Sequence, residues 1–217
     1  GTMEHTSKKT INKRWIIAII CLWLTAIIFI DILKNGTWTF DYPIYNFISN
    51  FKSDVMTIIS IILARLGGRA GLAILSITAS LVSLIKYKNK NVAILIFINM
   101  LLIGVLNFGI KNIIQRPRPS EIQMMEVSGF SFPSGHSMGA MGFWGMLIIV
   151  ANYYIKDAKK KKIIIAVLSL IILAIGLSRI YLGVHYASDV LCGFLITIMY
   201  YCAVMPIINR IISGEKN

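Results

Sequence analysis

Apolar runs close to a bilayer's thickness constrain this chain more than any other feature. Residues 15–33, 71–85, 92–114, 163–177 and 185–208 are each dominated by Ile, Leu, Val, Ala and aromatic side chains. Several of them reach the roughly 20 residues that a helix needs to cross a hydrocarbon core. At 217 residues and 57% hydrophobic, the chain is too apolar for a soluble domain of its size. A sixth run, opening at Pro133 and continuing to Tyr154, completes the set. These runs predict an all-α integral membrane protein, a bundle of six transmembrane helices in a single domain over residues 1–217. Neither a low-complexity tract nor an internal repeat divides it.

The details of each run refine that expectation. Gly1, Thr2 and Met3 read as a cloning remnant ahead of a native start. No small-residue cleavage signal follows the first run, so it reads as a retained span and not a signal peptide. The connection 34–69 is dense in aromatics: Trp38, Phe40, Tyr42, Tyr45, Phe47 and Phe51. Such residues collect at the membrane–water interface. Within it, residues 55–66 are apolar but too short to span, which predicts an interfacial or partly inserted helix between the first and second spans. Gly67, Gly68 and Gly71 around Arg69 break that helix and start another. Pro117 disfavours helical geometry at Arg116, so the third span should stop near Gln115. Cys21, Cys192 and Cys202 all fall within apolar runs and read as small packing residues, not as a disulfide frame or a metal set.

The net charge of +13 does not point to nucleic acid, because the charge sits in short blocks between apolar runs. With the N-terminus in the cytoplasm, the inner blocks (Lys8 to Arg14, Lys86 to Lys90, Lys156 to Lys162, and Arg210 with Lys216) hold 14 Lys and Arg; the outer connections hold 8. Lys and Arg favour the cytoplasmic side, so both termini are expected there.

That topology brings four polar helix ends to the outer face. They carry Lys111 with Arg118, then Ser134, Gly135 and His136, then Ser178 with Arg179, then His185 with Asp189. Ionisable groups are expensive in or near a bilayer and usually mark a site. Taken singly, each has a plain structural reading: a solvated turn, an N-capping serine, a snorkelling lysine, a histidine satisfied by an acid. Their convergence favours phosphoryl transfer. Lys111, Arg118 and Arg179 supply fixed positive charge, and a guanidinium matches phosphate oxygens two at a time. Ser134, Gly135 and His136 open a helix whose free N–H groups suit an anion, and Gly135 lets phosphate approach the backbone. If His185 and Asp189 share a helix face, the carboxylate fixes the imidazole tautomer, and His185 can attack phosphorus. His136 can then protonate the departing oxygen.

Lys111, six residues, Arg118-Pro119; then Pro133-Ser134-Gly135-His136; then Ser178-Arg179, five residues, His185, three residues, Asp189: in this order they resemble the three-part signature of the type 2 phosphatidic acid phosphatase family. No signature position departs from the pattern, and the motifs span residues 111–189. The resemblance implies a metal-independent lipid phosphatase with no cofactor and a phosphohistidine intermediate on His185. It also implies that Asp189 orients His185, that His136 serves as acid and then as base, and that Lys111, Arg118, Ser134, Gly135 and Arg179 hold the phosphate. Soluble vanadate-dependent haloperoxidases share a similar pocket, but the apolar spans here argue against that branch.

The expected activity is an outer-face phosphatase of the bacterial plasma membrane acting on a lipid phosphate or diphosphate. The outward site favours undecaprenyl diphosphate; phosphatidylglycerophosphate and broad specificity are the alternatives. A transporter or scramblase would use the basic pocket but not the paired His185 and Asp189, and a dead scaffold would lack one of the histidines.

Overall fold

The computed structural model of the protein describes residues 12–214. Gly1, Thr2, Met3, Lys8, Lys9 and Lys216 lie outside these residues. The described chain forms eight helices: α1 Lys13–Asn35, α2 Asp41–Ser49, α3 Asp54–Leu66, α4 Arg69–Ile85, α5 Lys90–Ile114, α6 Gly135–Tyr154, α7 Ala158–Tyr181 and α8 Ala187–Ser213. No strand occurs among the described residues.

Helices α1, α5, α7 and α8 are each long and apolar enough to cross a membrane, and α3 and α4 qualify jointly as a pair bent by 58°. The bend falls at Gly67 and Gly68, where the sequence places a break. At 17 residues, α4 spans about 26 Å at 1.5 Å per residue and is short of a full crossing alone. Helix α6 is 20 residues long yet is not among those four helices, and its position accounts for this. Its residues Ser137, Met138, Gly139, Ala140, Gly142, Phe143, Gly145 and Met146 are buried, with α4, α5, α7 and α8 packed around it. A helix enclosed by helices needs small side chains more than greasy ones. A Cβ at Gly145 would lie 3.2 Å from the Tyr201 ring, and one at Gly139 or Gly142 would run into Leu72 or Ile103.

The outer helices show the opposite pattern. On α1, Cys21, Ile28 and Ile32 face α8, at intervals of one face of a helix. Trp15, Ile19, Ile20 and Trp23 point away and are about half exposed or more. All three cysteines are buried free thiols.

Two ends can be distinguished. At one, Asn89 donates to the Tyr154 hydroxyl (2.7 Å) and Asn91 to the Ile211 carbonyl (2.9 Å). This gathers the α4–α5 turn, the end of α6 and the end of α8 beside the basic blocks. At the other lie the C-termini of α5 and α7 and the N-termini of α6 and α8. Helix α5 stops at Ile114, with Gln115 in the left-handed region (φ 51°) as its cap, in keeping with the proline at 117.

The segment between the first two spans holds two helices where the sequence predicted one. Helix α2 buries Asp41 and packs Ile44, Tyr45 and Ile48 against α7 and α8. It leaves Tyr42 and Phe47 exposed, with Phe40 and Phe51 exposed at its two ends. Helix α3 is capped by Ser53, whose side chain accepts from the Met56 N–H. The Tyr181 hydroxyl at the end of α7 pins it through Thr57, 2.9 Å away.

Candidate active site

At the centre of the polar end is Asp189, fully buried in the first turn of α8. Its Oδ2 accepts the Tyr186 N–H (2.9 Å), so the carboxylate caps its own helix. The same oxygen accepts from the Ser131 hydroxyl in a short hydrogen bond and faces Nδ1 of His185 at 3.4 Å. Its Oδ1 accepts from Arg116 at 2.7 Å.

His185 lies two residues before α8, in the turn that follows α7. The last span, expected from about His185, starts at Ala187, so the condition that His185 and Asp189 share a helical face is not met. The four-residue spacing mimics a helical pair, but a turn makes the contact. That turn needs Gly183, whose φ of 67° suits glycine. A Cβ there would strike the Ile122 carbonyl, because the α5–α6 connection presses against the turn and donates the Met124 N–H to Leu182 (2.9 Å).

Nε2 of His185 is 3.0 Å from Nη1 of Arg118. A guanidinium only donates, so Nε2 accepts and the imidazole proton sits on Nδ1, facing Asp189. Burial pushes the imidazole down to about 4; the Asp189 carboxylate pulls in the opposite direction and loses. His185 is therefore neutral near pH 7, with its lone pair on the cationic side.

The remaining sequence-predicted residues are arranged around this pair. Arg118 also donates to the carbonyls of Gly129 and Val184, both at 2.9 Å. Ser134 caps α6 by accepting from the Ser137 N–H (3.3 Å) and joins Asp189 by donating its own N–H to that residue's carbonyl (3.0 Å). The missing side chain at Gly135 makes room for Asn107, whose Oδ1 would lie 3.1 Å from a Cβ there. Lys111 reaches the same loop but is engaged with the carbonyls of Phe130 (2.5 Å) and Ser131 (3.3 Å). His136 and Arg179 make no hydrogen bond to the others. The positive charges of Arg179 and Arg118 nonetheless act on His136, which puts them in one neighbourhood. Nε of Arg179 is buried without a hydrogen-bond partner.

Sequence reasoning missed a second layer. Arg116, read as part of a solvated turn, is 5% exposed and bridges Asp189 to Asp41 of α2, whose Oδ2 lies 2.9 Å from Nη2. Its guanidinium stacks 4.0 Å over the Tyr186 ring. Ser188 joins in, donating its N–H (2.8 Å) and hydroxyl (3.0 Å) to Asp41. No local spacing announces contacts between residues 41, 116 and 189.

The chain is similar to known proteins in sequence and in fold. Phosphatidylglycerophosphatase B of Bacillus subtilis (strain 168) is 37% identical over 101 residues, which is 45% of this chain; the alignment spans 48% of that protein, about half its length. The crystal structure of the first transmembrane PAP2 type phosphatidylglycerolphosphate phosphatase from Bacillus subtilis superposes with a TM-score of 0.76 and 25% identity, covering 92% of this chain and 98% of that one. The crystal structure of Aquifex aeolicus LpxE shares the fold, with a TM-score of 0.60 at 24% identity over 78% of this chain and 96% of its own. The PAP2 superfamily profile matches residues 92–213, from α5 through the two histidines to the end of α8, and the chain belongs to that family.

Proposed function

We propose that this protein is a metal-independent lipid phosphate phosphatase of the bacterial membrane, working through a phosphohistidine on His185. The observation that carries the reading is the Arg118 contact to Nε2: it leaves a neutral imidazole with its lone pair turned toward fixed positive charge. Phosphate entering beside Arg118 and Arg179 takes the place of the contact to Nε2, and that nitrogen attacks phosphorus. The P–O bond to the lipid breaks, and protonated His136 gives its proton to the departing oxygen. His136, now neutral, takes a proton from water, whose oxygen attacks the phosphohistidine and releases phosphate and His185. Asp189 holds the Nδ1 proton throughout. Lys111, Ser134 and Gly135 shape the phosphate pocket, Lys111 by tying the loop at Phe130 and Ser131. A loose transition state of this kind depends on positioning and charge more than on covalent chemistry.

Six crossings support this site best. Helices α4 and α6 run between the same two ends as the four strongly apolar helices, and the exposed aromatics of α2 suit an interfacial position. The basic blocks favour a cytoplasmic far end, with both termini there, and an extracytoplasmic site in one domain.

The names of the two Bacillus subtilis proteins favour phosphatidylglycerophosphate as substrate. The outward site keeps undecaprenyl diphosphate as the second reading. Phosphate release from the two lipids and from phosphatidic acid, measured on detergent-purified protein with excess chelator, tests all of this. Release that survives chelation and vanishes in His185→Ala is the expected result, with phosphatidylglycerophosphate turned over fastest. Near-normal turnover in His185→Ala overturns the assignment of the nucleophile.

A further inference from the structure

Beneath His185 lies an ion triad in which one guanidinium is shared by two carboxylates. Arg116 donates to Asp189 at 2.7 Å and to Asp41 at 2.9 Å, and all three side chains are buried. Asp41 is saturated: the N–H groups of Trp38 (2.9 Å) and Ser188 (2.8 Å), the Ser188 hydroxyl (3.0 Å) and Arg116 all converge on its two oxygens. Every one of those partners donates, so Asp41 acts purely as an acceptor, as a carboxylate does. Ser188 also accepts from Nη1 of Arg116 at 2.8 Å, which closes the network.

Stability alone is a poor reason for such a triad. Desolvating three charges costs several kcal/mol per ion, and well-packed apolar replacements are often neutral or better. Its charge arithmetic suggests a different use. An isolated pair of Arg116 with Asp189 is neutral, and a carboxylate so matched has little pull left for an imidazole proton. A second carboxylate on the far side of the guanidinium makes the assembly net negative, directly behind Nδ1 of His185. Phosphorylation of Nε2 leaves the ring with positive charge while Nδ1 keeps its proton, and a net anionic partner stabilises that state more than the neutral one.

Resting on the phosphohistidine reading, we propose that Asp41 and Arg116 are positioning residues for the reaction. Arg116 fixes the rotamer of Asp189, and Asp41 draws off part of the Arg116 charge so that Asp189 holds the His185 proton on Nδ1. Asp41 belongs to α2, which is otherwise a peripheral helix with an exposed aromatic face. The seating of that helix thereby enters the electrostatics of the nucleophile 144 positions along the chain.

The test is Asp41→Asn in the full-length protein in detergent. It keeps the side-chain size and an acceptor for the Ser188 N–H, while removing the charge. The other charged groups whose fields reach His185, namely Arg118 and Lys111, are untouched. Two readouts are made. In protein labelled with 15N-histidine, with His185 assigned through His185→Gln, the ring-nitrogen shifts at neutral pH report the tautomer; the Nε2–H form gains population in Asp41→Asn. In turnover of phosphatidylglycerophosphate, kcat falls by about tenfold, in the range for residues coupled to a site through a contact network. KM and inhibition by inorganic phosphate stay as in the wild type, because the pocket cations are unchanged.

Asp41→Ser, smaller but still an acceptor, is the second variant, read the same way. A folded variant with wild-type tautomer shifts overturns the proposal. So does failure of both variants to fold, which makes Asp41 a residue of the fold alone. If the wild type releases no phosphate from any lipid, the reading of function has failed, and the tautomer measurement still decides the role of Asp41.

Discussion

His136 donates its Nε2–H to the backbone carbonyl of Ala64 across 3.0 Å, and that carbonyl belongs to α3. The two histidines are thus oriented by different means: a carboxylate network behind His185, and a neutral carbonyl near the C-terminal end of a helix beside His136. A carbonyl accepts without adding a full charge, so His136 keeps Nδ1 free to carry and release a proton. The α3–α4 corner is built close against this ring. A Cβ at Gly68 would lie 3.2 Å from the Ala64 carbonyl and 3.5 Å from Nε2.

Gly68→Ala therefore moves the carbonyl or the ring by a few tenths of an ångström. Gly68 has an ordinary extended backbone (φ −77°), so the substitution introduces no torsional strain. Misplacing a catalytic group by about 1 Å can cost roughly a hundredfold, and this smaller displacement should lower kcat by about tenfold. Because His136 also activates the water, phosphohistidine should accumulate during turnover, which acid-free trapping with labelled substrate detects. Wild-type kcat in a folded Gly68→Ala protein would count against His136 being positioned by α3.

Acid should act through His185 at an unusual place. Nucleophilic attack needs the lone pair on Nε2, and protonation removes it, so the rate falls as pH falls. Burial sets that loss at about 4, well below the usual 6.5 of an exposed imidazole. The expected profile of kcat/KM, which reports groups of the free enzyme, has its His185 limb near pH 4 and none from this residue near 6.5. In Asp189→Asn the anion that pulls the value upward is gone, and the limb moves lower still while turnover drops. An acid limb of the wild type that disappears in no histidine variant would show that another group controls it.

The loop over the site depends on one backbone conformation. Gly183 has φ 67°, and the Ile122 carbonyl occupies the space where its side chain would go. Gly183→Ala must pay the left-handed penalty of roughly 1–2 kcal/mol and also push the α5–α6 connection away. That connection carries Arg116, Arg118 and Ser131, so stability and activity should fall together. A lower thermal midpoint with at least a hundredfold loss of phosphate release is the expected result, and undiminished activity would mean that the connection need not dock on the turn.

Much of this arrangement is legible in the sequence because it rests on local periodicities. The runs at 15–33 and 92–114 announce α1 and α5 by length alone, and Pro117 marks where α5 must end. Cys21, Cys192 and Cys202 are buried free thiols, in keeping with their reading as small packing residues. Other features depend on contacts remote along the chain. The four-residue spacing of His185 and Asp189 fits a helix face as well as a capping turn, and Gly183, which decides for the turn, is uninformative without Ile122 beside it. Arg116 and Arg118 look alike in an alternating run of arginine and proline. Only the arrival of Asp41 from α2 separates the buried arginine from the one facing His185. Gly135 turns its bare Cα toward Asn107, a partner that spacing within the motif does not reveal.

Arg179 offers the cleanest separation of binding from folding. It is 2% exposed, and its Nε has no partner within the protein. A buried cation lacking hydrogen bonds costs free energy in the empty protein, of the order of 1–3 kcal/mol for an unsatisfied group. That cost is recovered when a phosphate arrives with acceptors to match the guanidinium fork. Arg179→Met should leave the thermal midpoint in detergent unchanged or raise it, while weakening inhibition by inorganic phosphate by about tenfold or more, as expected for loss of a charge-assisted contact of roughly 1.5–3 kcal/mol. Arg179→Lys keeps charge but not the fork and should fall between. The measurement pairs a thermal melt with a phosphate inhibition curve. A variant that melts much earlier, yet binds phosphate as the wild type does, would make Arg179 a packing residue and leave Arg118 as the principal phosphate ligand.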